Sequence, residues 1–248
     1  MSKVIIITGA SRGIGAATAR LAAKQGYSVC INYKNQTLAA QSLVKEIQSL
    51  GNEAIAIAAD VTNTAAVEHL FSETEQSLGP VTALVNNAGV VAPQSRFENT
   101  RMERIRHLFE VNVFGTMLCT QQAIKTMSTQ HGGNGGAIVN VSSAASRLGS
   151  AGEYVDYAAT KGAVDSLTTG LSKELAGEGI RVNAVRPAFI YTDMHADGGE
   201  PGRVDRIKSS LPMQRGGQPE EVAAAIMWLL SDEASYTTGT FIDMAGGL

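Results

Sequence analysis

Apolar positions along the chain follow two alternating patterns: short β-branched runs, and longer stretches with apolar residues every three or four positions. The first run, 4–7, is too short for a helix and reads as a buried strand. Ile14, Ala17, Leu21 and Ala22 then carry the spacing of a helix with one face on a core. Further runs predict strands at 27–33, 54–59, 83–85, 137–141, 180–185 and 240–242. Helical spacing separates them: Ala40, Leu43, Val44 and Ile47; Val67, Leu70, Phe71 and Thr74; a long segment 101–127; another at 154–175; and Val222, Ala225, Ile226, Leu229 and Leu230. Strand alternating with helix predicts one α/β domain over 1–248.

One stretch has weak periodicity. Residues 194–217 hold five Gly, two Pro and several charges, and regular structure returns at Pro219, suited to the first helical position with Glu220 and Glu221 behind it. A plain solvated loop is one reading. A substrate lid with few buried contacts is the preferred one, because the segment follows the last part of the presumed ligand site.

Between the first strand and the first helix stands Thr8-Gly9-Ala10-Ser11-Arg12-Gly13-Ile14-Gly15. There Gly9 lets the chain turn off the strand, Gly13 leaves room for a phosphate beside backbone N–H groups, and Gly15 lets the helix lie close on the sheet. A helix N-terminus exposed in this way binds anions, and its position between strand and helix is the context a dinucleotide requires. The acid that usually binds an NAD ribose about 20 residues on is missing. Asn32, Tyr33 and Lys34 hold that place, and Arg12 can approach a 2′-phosphate from the loop. NADP(H) is therefore favoured over NAD(H); the alternative is that Arg12 and Lys34 are ordinary solvated cations.

Composition narrows the class. With 248 residues, 44% hydrophobic content and a net charge of −3, the chain can bury a large core and has no basic excess for nucleic acid or an anionic membrane. No apolar run approaches a membrane span and no signal-peptide core opens the chain, so a cytoplasmic protein is expected. Cys30 and Cys119 lie far apart with no ligand spacing around them and read as buried free thiols. No Cys/His cluster calls for a metal.

The clearest chemistry lies in Tyr157-Ala158-Ala159-Thr160-Lys161. Four residues apart on a helix, the phenol and the ammonium share one face, so a proton donor stands beside a cation. A fixed positive charge favours phenolate and is expected to draw the tyrosine pKa down towards the working range. Tyr154 competes for the role but lies seven residues from Lys161.

The glycine spacing, Asn86-Asn87-Ala88-Gly89 at a strand end, Ser142-Ser143 after the fifth strand and the Tyr157/Lys161 pair together resemble the short-chain dehydrogenase/reductase family. The resemblance covers essentially the whole chain. It implies a doubly wound Rossmann fold with a seven-stranded parallel sheet in order 3-2-1-4-5-6-7, helices on both faces, and hydride transfer between NADP(H) and a carbonyl or secondary alcohol. It further implies that Asn87, Ala88 and Gly89 border the cofactor and that Asp60 and Val61 meet the adenine, although Asp60 alone equally suits a turn. Ser143 would hydrogen-bond the substrate oxygen, with Tyr157 as acid and Lys161 binding the ribose. Asn112, which by itself reads as a satisfied structural amide, would order a water in the proton relay. The loop Arg186-Pro187-Ala188-Phe189-Ile190-Tyr191-Thr192 would hold the nicotinamide through Pro187, Ile190 and Thr192, with Ala188 where the family usually has Gly. Ser143 also precedes Tyr157 by one residue more than usual, which the loop at 149–152 can absorb.

The family further implies a homotetramer, for which Leu108, Val111, Leu118, Leu167, Leu171 and Leu175 offer apolar faces on the long helices. Two other functions share the fold. A non-catalytic nucleotide sensor would be marked by loss of Tyr157, Lys161 or Ser143, and all three are present. An epimerase or dehydratase using the same pair usually has a longer chain.

Overall fold

The structure, a computed structural model, describes residues 3–248. Seven parallel strands form one sheet in the order β3-β2-β1-β4-β5-β6-β7: β1 Lys3–Ile7, β2 Tyr27–Tyr33, β3 Ala54–Ala58, β4 Val81–Asn86, β5 Gly136–Val141, β6 Ile180–Pro187 and β7 Phe241–Met244. The helices are α1 Gly13–Lys24, α2 Thr37–Ser49, α3 Thr64–Leu78, α4 Met102–Phe109, α5 Gly115–Met127, α6 Ala145–Leu148, α7 Val155–Glu174, α8 Met194–Asp197, α9 Arg203–Ile207 and α10 Pro219–Leu230.

Strand alternation divides the core in two. Ile5 and Ile7 of β1 join Val29 and Ile31 of β2 under the alanine-rich face of α1 and under Val222 and Ile226 of α10. Val4 and Ile6 point the other way, with Cys30, towards Leu70 and Phe71 of α3 and Cys119 and Met127 of α5. All seven residues of β2 are buried, which is the condition of a parallel strand covered on both faces. Cys30 and Cys119 are free and buried, and burial pushes both thiols up to about 12. At α10, Pro219 occupies the first turn, and Glu221 Oε2 accepts the Gln218 N–H at 2.8 Å to close a capping box.

Three expectations change. The segment 101–127 is not one regular helix: a π-turn, Glu110–Phe114, joins α4 to α5, with Gly115 N–H donating to the Glu110 carbonyl. The region 194–217 carries α8, α9 and buried side chains of Arg203, Val204 and Leu211, so it is tied down rather than loosely solvated. Arg203 pairs with Glu153 and with Glu200, and its guanidinium lies over the rings of Tyr154 and Phe189 at 5.0 and 5.5 Å. Finally, Leu108, Val111 and Leu175 are spent on the core of the single chain, with Leu118, Leu167 and Leu171 half-buried; the exposed apolar side chains beside α4 and α5 are Phe97, Met102 and Phe114.

Among the described residues, no helix is long and apolar enough to cross a membrane.

Candidate active site

Strand order reverses between β1 and β4, and at that switch point the carboxyl ends of the strands open into a cavity of about 450 Å³. One wall is the glycine loop, with Gly9, Ser11, Arg12, Gly13 and Ile14 facing the space. Gly15 lies behind it. A Cβ there would stand 2.6 Å from Asn87 Nδ2 and 2.8 Å from Ala10 Cα, so only glycine permits α1 to start this close to the sheet. Asn87 stitches β4 to the loop, its Nδ2 donating to the carbonyls of Thr8 at 2.9 Å and Gly9 at 3.0 Å. The Thr8 hydroxyl accepts the N–H groups of Asn87 and Ala88. Thr8 opens the glycine motif in the sequence, but the sequence alone gives it no role of its own.

The far end of the cavity holds the residues expected to choose the cofactor. Asn32 lines it but is committed to the protein: Oδ1 accepts the Gly9 N–H and Nδ2 donates to the Ala59 carbonyl at 3.0 Å. Tyr33 is packed into the α1/α2 core and does not reach the cavity, because adjacent strand residues face opposite ways. Lys34 does line it and forms a 2.6 Å ion pair with Asp60. Asp60 also takes the Thr62 N–H and hydroxyl, so it makes a turn and borders the cavity at once, with Val61 beside it. The hydrogen bonds to Lys34 and Thr62 outweigh burial and hold its carboxyl below the ordinary range. Arg12 pairs with Asp197 and lies 3.7 Å from Asp193, both from the segment that closes the cavity mouth.

A smaller cavity adjoins the first, the two sharing Val91 and Met194. It is lined by Ser143, Tyr154, Tyr157, Leu148, Phe189 and His195, among others. The Ser143 hydroxyl shares this cavity with the Tyr157 phenol, whose pKa it pulls down; it accepts the Ala145 N–H and donates to the Pro187 carbonyl at 3.3 Å. Ser142 faces away, into α7. Tyr154 is turned aside, its hydroxyl donating to the Gly198 carbonyl. The first turn of α7 is pinned by buried Asp156, which takes Arg104 of α4 through Nε at 2.7 Å and Nη2 at 3.1 Å.

Lys161 is buried, with Nζ donating to the Val141 carbonyl at 2.8 Å and lying 5.7 Å from the Tyr157 ring centre. Gly89 lies alongside: a Cβ at that position would stand 3.6 Å from Nζ, an ordinary contact, and a tighter 3.3 Å from Asn112 Oδ1. Asn112 sits in the π-turn with its amide fully engaged. Oδ1 accepts the Val90 N–H, and Nδ2 donates to the Val90 carbonyl and to Thr160 Oγ1. The side chain thus holds the β4 loop against α7, where a water-ordering role was expected. Thr160, which sequence reasoning passed over, is recognisable as the buried hydroxyl one turn after Tyr157; it also donates to the Tyr157 carbonyl at 2.7 Å.

The expected lowering of the tyrosine pKa is not found, because burial outweighs it. Burial pushes Tyr157 up to about 12, against the pull of Ser143, and pushes Lys161 down to about 8. Around neutral pH the phenol carries its proton and the ammonium its charge. Pro187 is buried at the end of β6, and Ile190 belongs to a neighbouring cavity, its carbonyl accepting His195 Nε2–H at 2.9 Å; of the expected nicotinamide loop, Thr192 lines the large cavity.

A doubly wound parallel sheet with a glycine loop at its switch point and a Tyr/Lys helix alongside defines a Rossmann-type protein. The family pattern described as enoyl-(acyl carrier protein) reductase matches residues 9–248. The chain is 58% identical to the uncharacterized oxidoreductase YgfF of Escherichia coli over 98% of this chain and 99% of that one. It is 39% identical to a 3-oxoacyl-[acyl-carrier-protein] reductase of Synechocystis, covering 100% and 97%. A 3-ketoacyl-(acyl-carrier-protein) reductase from Brucella melitensis, solved in complex with NADH, superposes with a TM-score of 0.91 at 33% identity, over 99% and 97% of the two chains. The chain belongs to the short-chain dehydrogenase/reductase family, oxidoreductases that bind a nicotinamide cofactor.

Proposed function

We propose that the protein is an NADP(H)-dependent carbonyl reductase, or secondary alcohol dehydrogenase in reverse, with Tyr157 as the general acid. The observation that carries this reading is the Ser143–Tyr157 hydroxyl pair, set where the glycine-loop cavity meets the smaller one. The bound nicotinamide would supply the hydride. Tyr157, protonated near neutral pH, donates to the carbonyl oxygen as negative charge develops there, while Ser143 hydrogen-bonds the same oxygen. Lys161 holds the ribose and places a positive charge beside the phenol. Asn112 positions α7 against the β4 loop, which keeps Lys161 behind Gly89.

The fit to the cofactor rests on the cleared glycine wall and on the absence of an acid at the end of β2, where Lys34 stands. Arg12 and Lys34 are the cations for the 2′-phosphate, and Asp197 and Asp60 are the carboxylates it must displace. Leu148, Phe189 and Met194 make the substrate side largely apolar, and α8 and α9 form the lid over it. Incubation with NADPH and NADH against 3-oxoacyl thioesters, sugars, steroids and small ketones tests the reading. The names of the Synechocystis and Brucella relatives put 3-oxoacyl thioesters first. Cofactor oxidation with none of these carbonyls, in folded protein, would leave the sensor reading in its place.

A homotetramer active in the cytoplasm completes the proposal. Exposed Phe97, Met102 and Phe114 beside α4 and α5 supply the apolar area that the core-facing leucines do not. Light scattering is expected to give a four-chain mass, and Phe114→Asp to reduce it; a one-chain mass for the parent protein in dilute solution would overturn the assembly.

A further inference from the structure

One turn beyond Lys161 on the same face of α7 lies Asp165, which no step of the proposed reaction uses. Its carboxylate joins three elements. Oδ1 accepts the Ser142 hydroxyl at 2.6 Å, at the end of β5, and Oδ2 accepts Arg186 Nε of β6 at 3.0 Å, with Nη2 2.9 Å away. Ser142 stands between Val141, whose carbonyl holds Lys161 Nζ, and Ser143, the partner of Tyr157. Arg186 directly precedes Pro187, whose carbonyl accepts the Ala144 N–H at 2.9 Å and the Ser143 hydroxyl. One carboxylate therefore fixes the ends of the two strands that present Ser143 and hold Lys161.

The charges around Lys161 give the carboxylate a second task. Tyr157 and Asp165 face it from α7, and Arg186 stands on β6 beyond Asp165, its ring partner being Phe241 at 3.9 Å. Behind Arg186, Asp243 of β7 lies 3.9 Å away and 3.4 Å from Arg147 of α6. Asn112 and Gly89, on the β4 side, are neutral. Asp165 thus sits between two cations, with its own side chain 14% exposed and that of Arg186 16% exposed. Taking the carboxylate away leaves the Arg186 guanidinium without its partner in a poorly solvated place and removes the negative charge that favours the Lys161 ammonium.

We propose that Asp165 is a positioning residue of the reductase site, keeping the Lys161 ammonium charged and locking the ends of β5 and β6 so that Ser143 meets Tyr157. The inference rests on the roles given above to Lys161, Ser143 and Tyr157. Burial holds Lys161 down at about 8 even though the field of Asp165 pushes it up.

The test pairs a rate profile with a titration that needs no substrate. In protein labelled with ¹⁵N-lysine, with the Lys161 signal assigned by its absence from Lys161→Met, Asp165→Asn should move the Lys161 titration down by about one pH unit. The alkaline limb of kcat against pH should move with it, and kcat at pH 8 should fall about 10- to 100-fold. Asp165→Glu should restore the titration, and Ser142→Ala, which keeps the charge, should lower kcat without moving the limb. Should Asp165→Asn fail to fold, Asp165→Glu and Ser142→Ala still decide the matter against the parent protein. The same Lys161 titration in Asp165→Asn and parent would overturn the inference, as would a loss of rate with no shift of the limb. A shifted titration in a protein that reduces no carbonyl would instead uphold the electrostatic coupling and overturn the reductase reading.

Discussion

Tyr157→Phe is expected to lower turnover by about 10²- to 10⁴-fold while leaving NADPH affinity nearly unchanged. The substitution keeps the ring and its packing against α7, and removes only the hydroxyl that Ser143 meets. A stopped-flow or steady-state assay with any accepted carbonyl reads the loss in kcat. Lys161→Met should damage both kcat and cofactor affinity, because the proposed mechanism gives one ammonium both the ribose and the phenol. Tyr154→Phe is the comparison: its hydroxyl donates to the Gly198 carbonyl rather than to the Ser143 pair, so its loss should stay within about tenfold. Parent-rate reduction by Tyr157→Phe, or a dead Tyr154→Phe, would overturn the assignment of the acid.

Arg12→Ala should weaken NADPH binding by about 10- to 100-fold and leave NADH binding almost as it was, the size of a lost hydrogen bond to a charged group. Fluorescence titration with the two cofactors measures both. The ion pair to Asp197 refines the expectation, since the free protein already spends the guanidinium on a carboxylate. Asp197→Asn should then act in the opposite sense and tighten NADPH binding, by no more than about fivefold, because both side chains are nearly half exposed. Equal losses for NADPH and NADH in Arg12→Ala would assign Arg12 to the shared pyrophosphate instead.

The strands were legible because a buried parallel sheet demands β-branched runs, and the Tyr157/Lys161 pair was legible because helical spacing is local. Other features depend on partners far along the chain. Nothing near Arg203 in sequence announces Tyr154, Phe189 or Glu153, so the segment 194–217 reads as looser than it is. The π-turn escaped because apolar spacing through Val111 and Val113 persists across it, and only the buried amide of Asn112, an unfavourable helix residue, marked the place. Tyr33 was placed in the site one residue out of phase with its strand, while Asn32 beside it does face the cavity. The phenol pKa is not legible in sequence for a different reason: charge proximity follows from spacing, whereas desolvation belongs to the assembled core.

The pairing of β1 with β4 bears on how the molecule is made. The bonds from Asn87 and Ala88 to Thr8 span 79 and 80 residues, so the glycine loop leaves the ribosome long before its opposite wall exists. Until β4 arrives, β1 can pair only with β2, and its other edge, backed by Val4 to Ile7, is open to any strand that meets it. Docking of β4 closes that edge and creates the cavity in the same event. A nascent chain therefore cannot be rescued by nucleotide before this step, and added cofactor should protect refolding protein from aggregation only after β4 has joined the sheet.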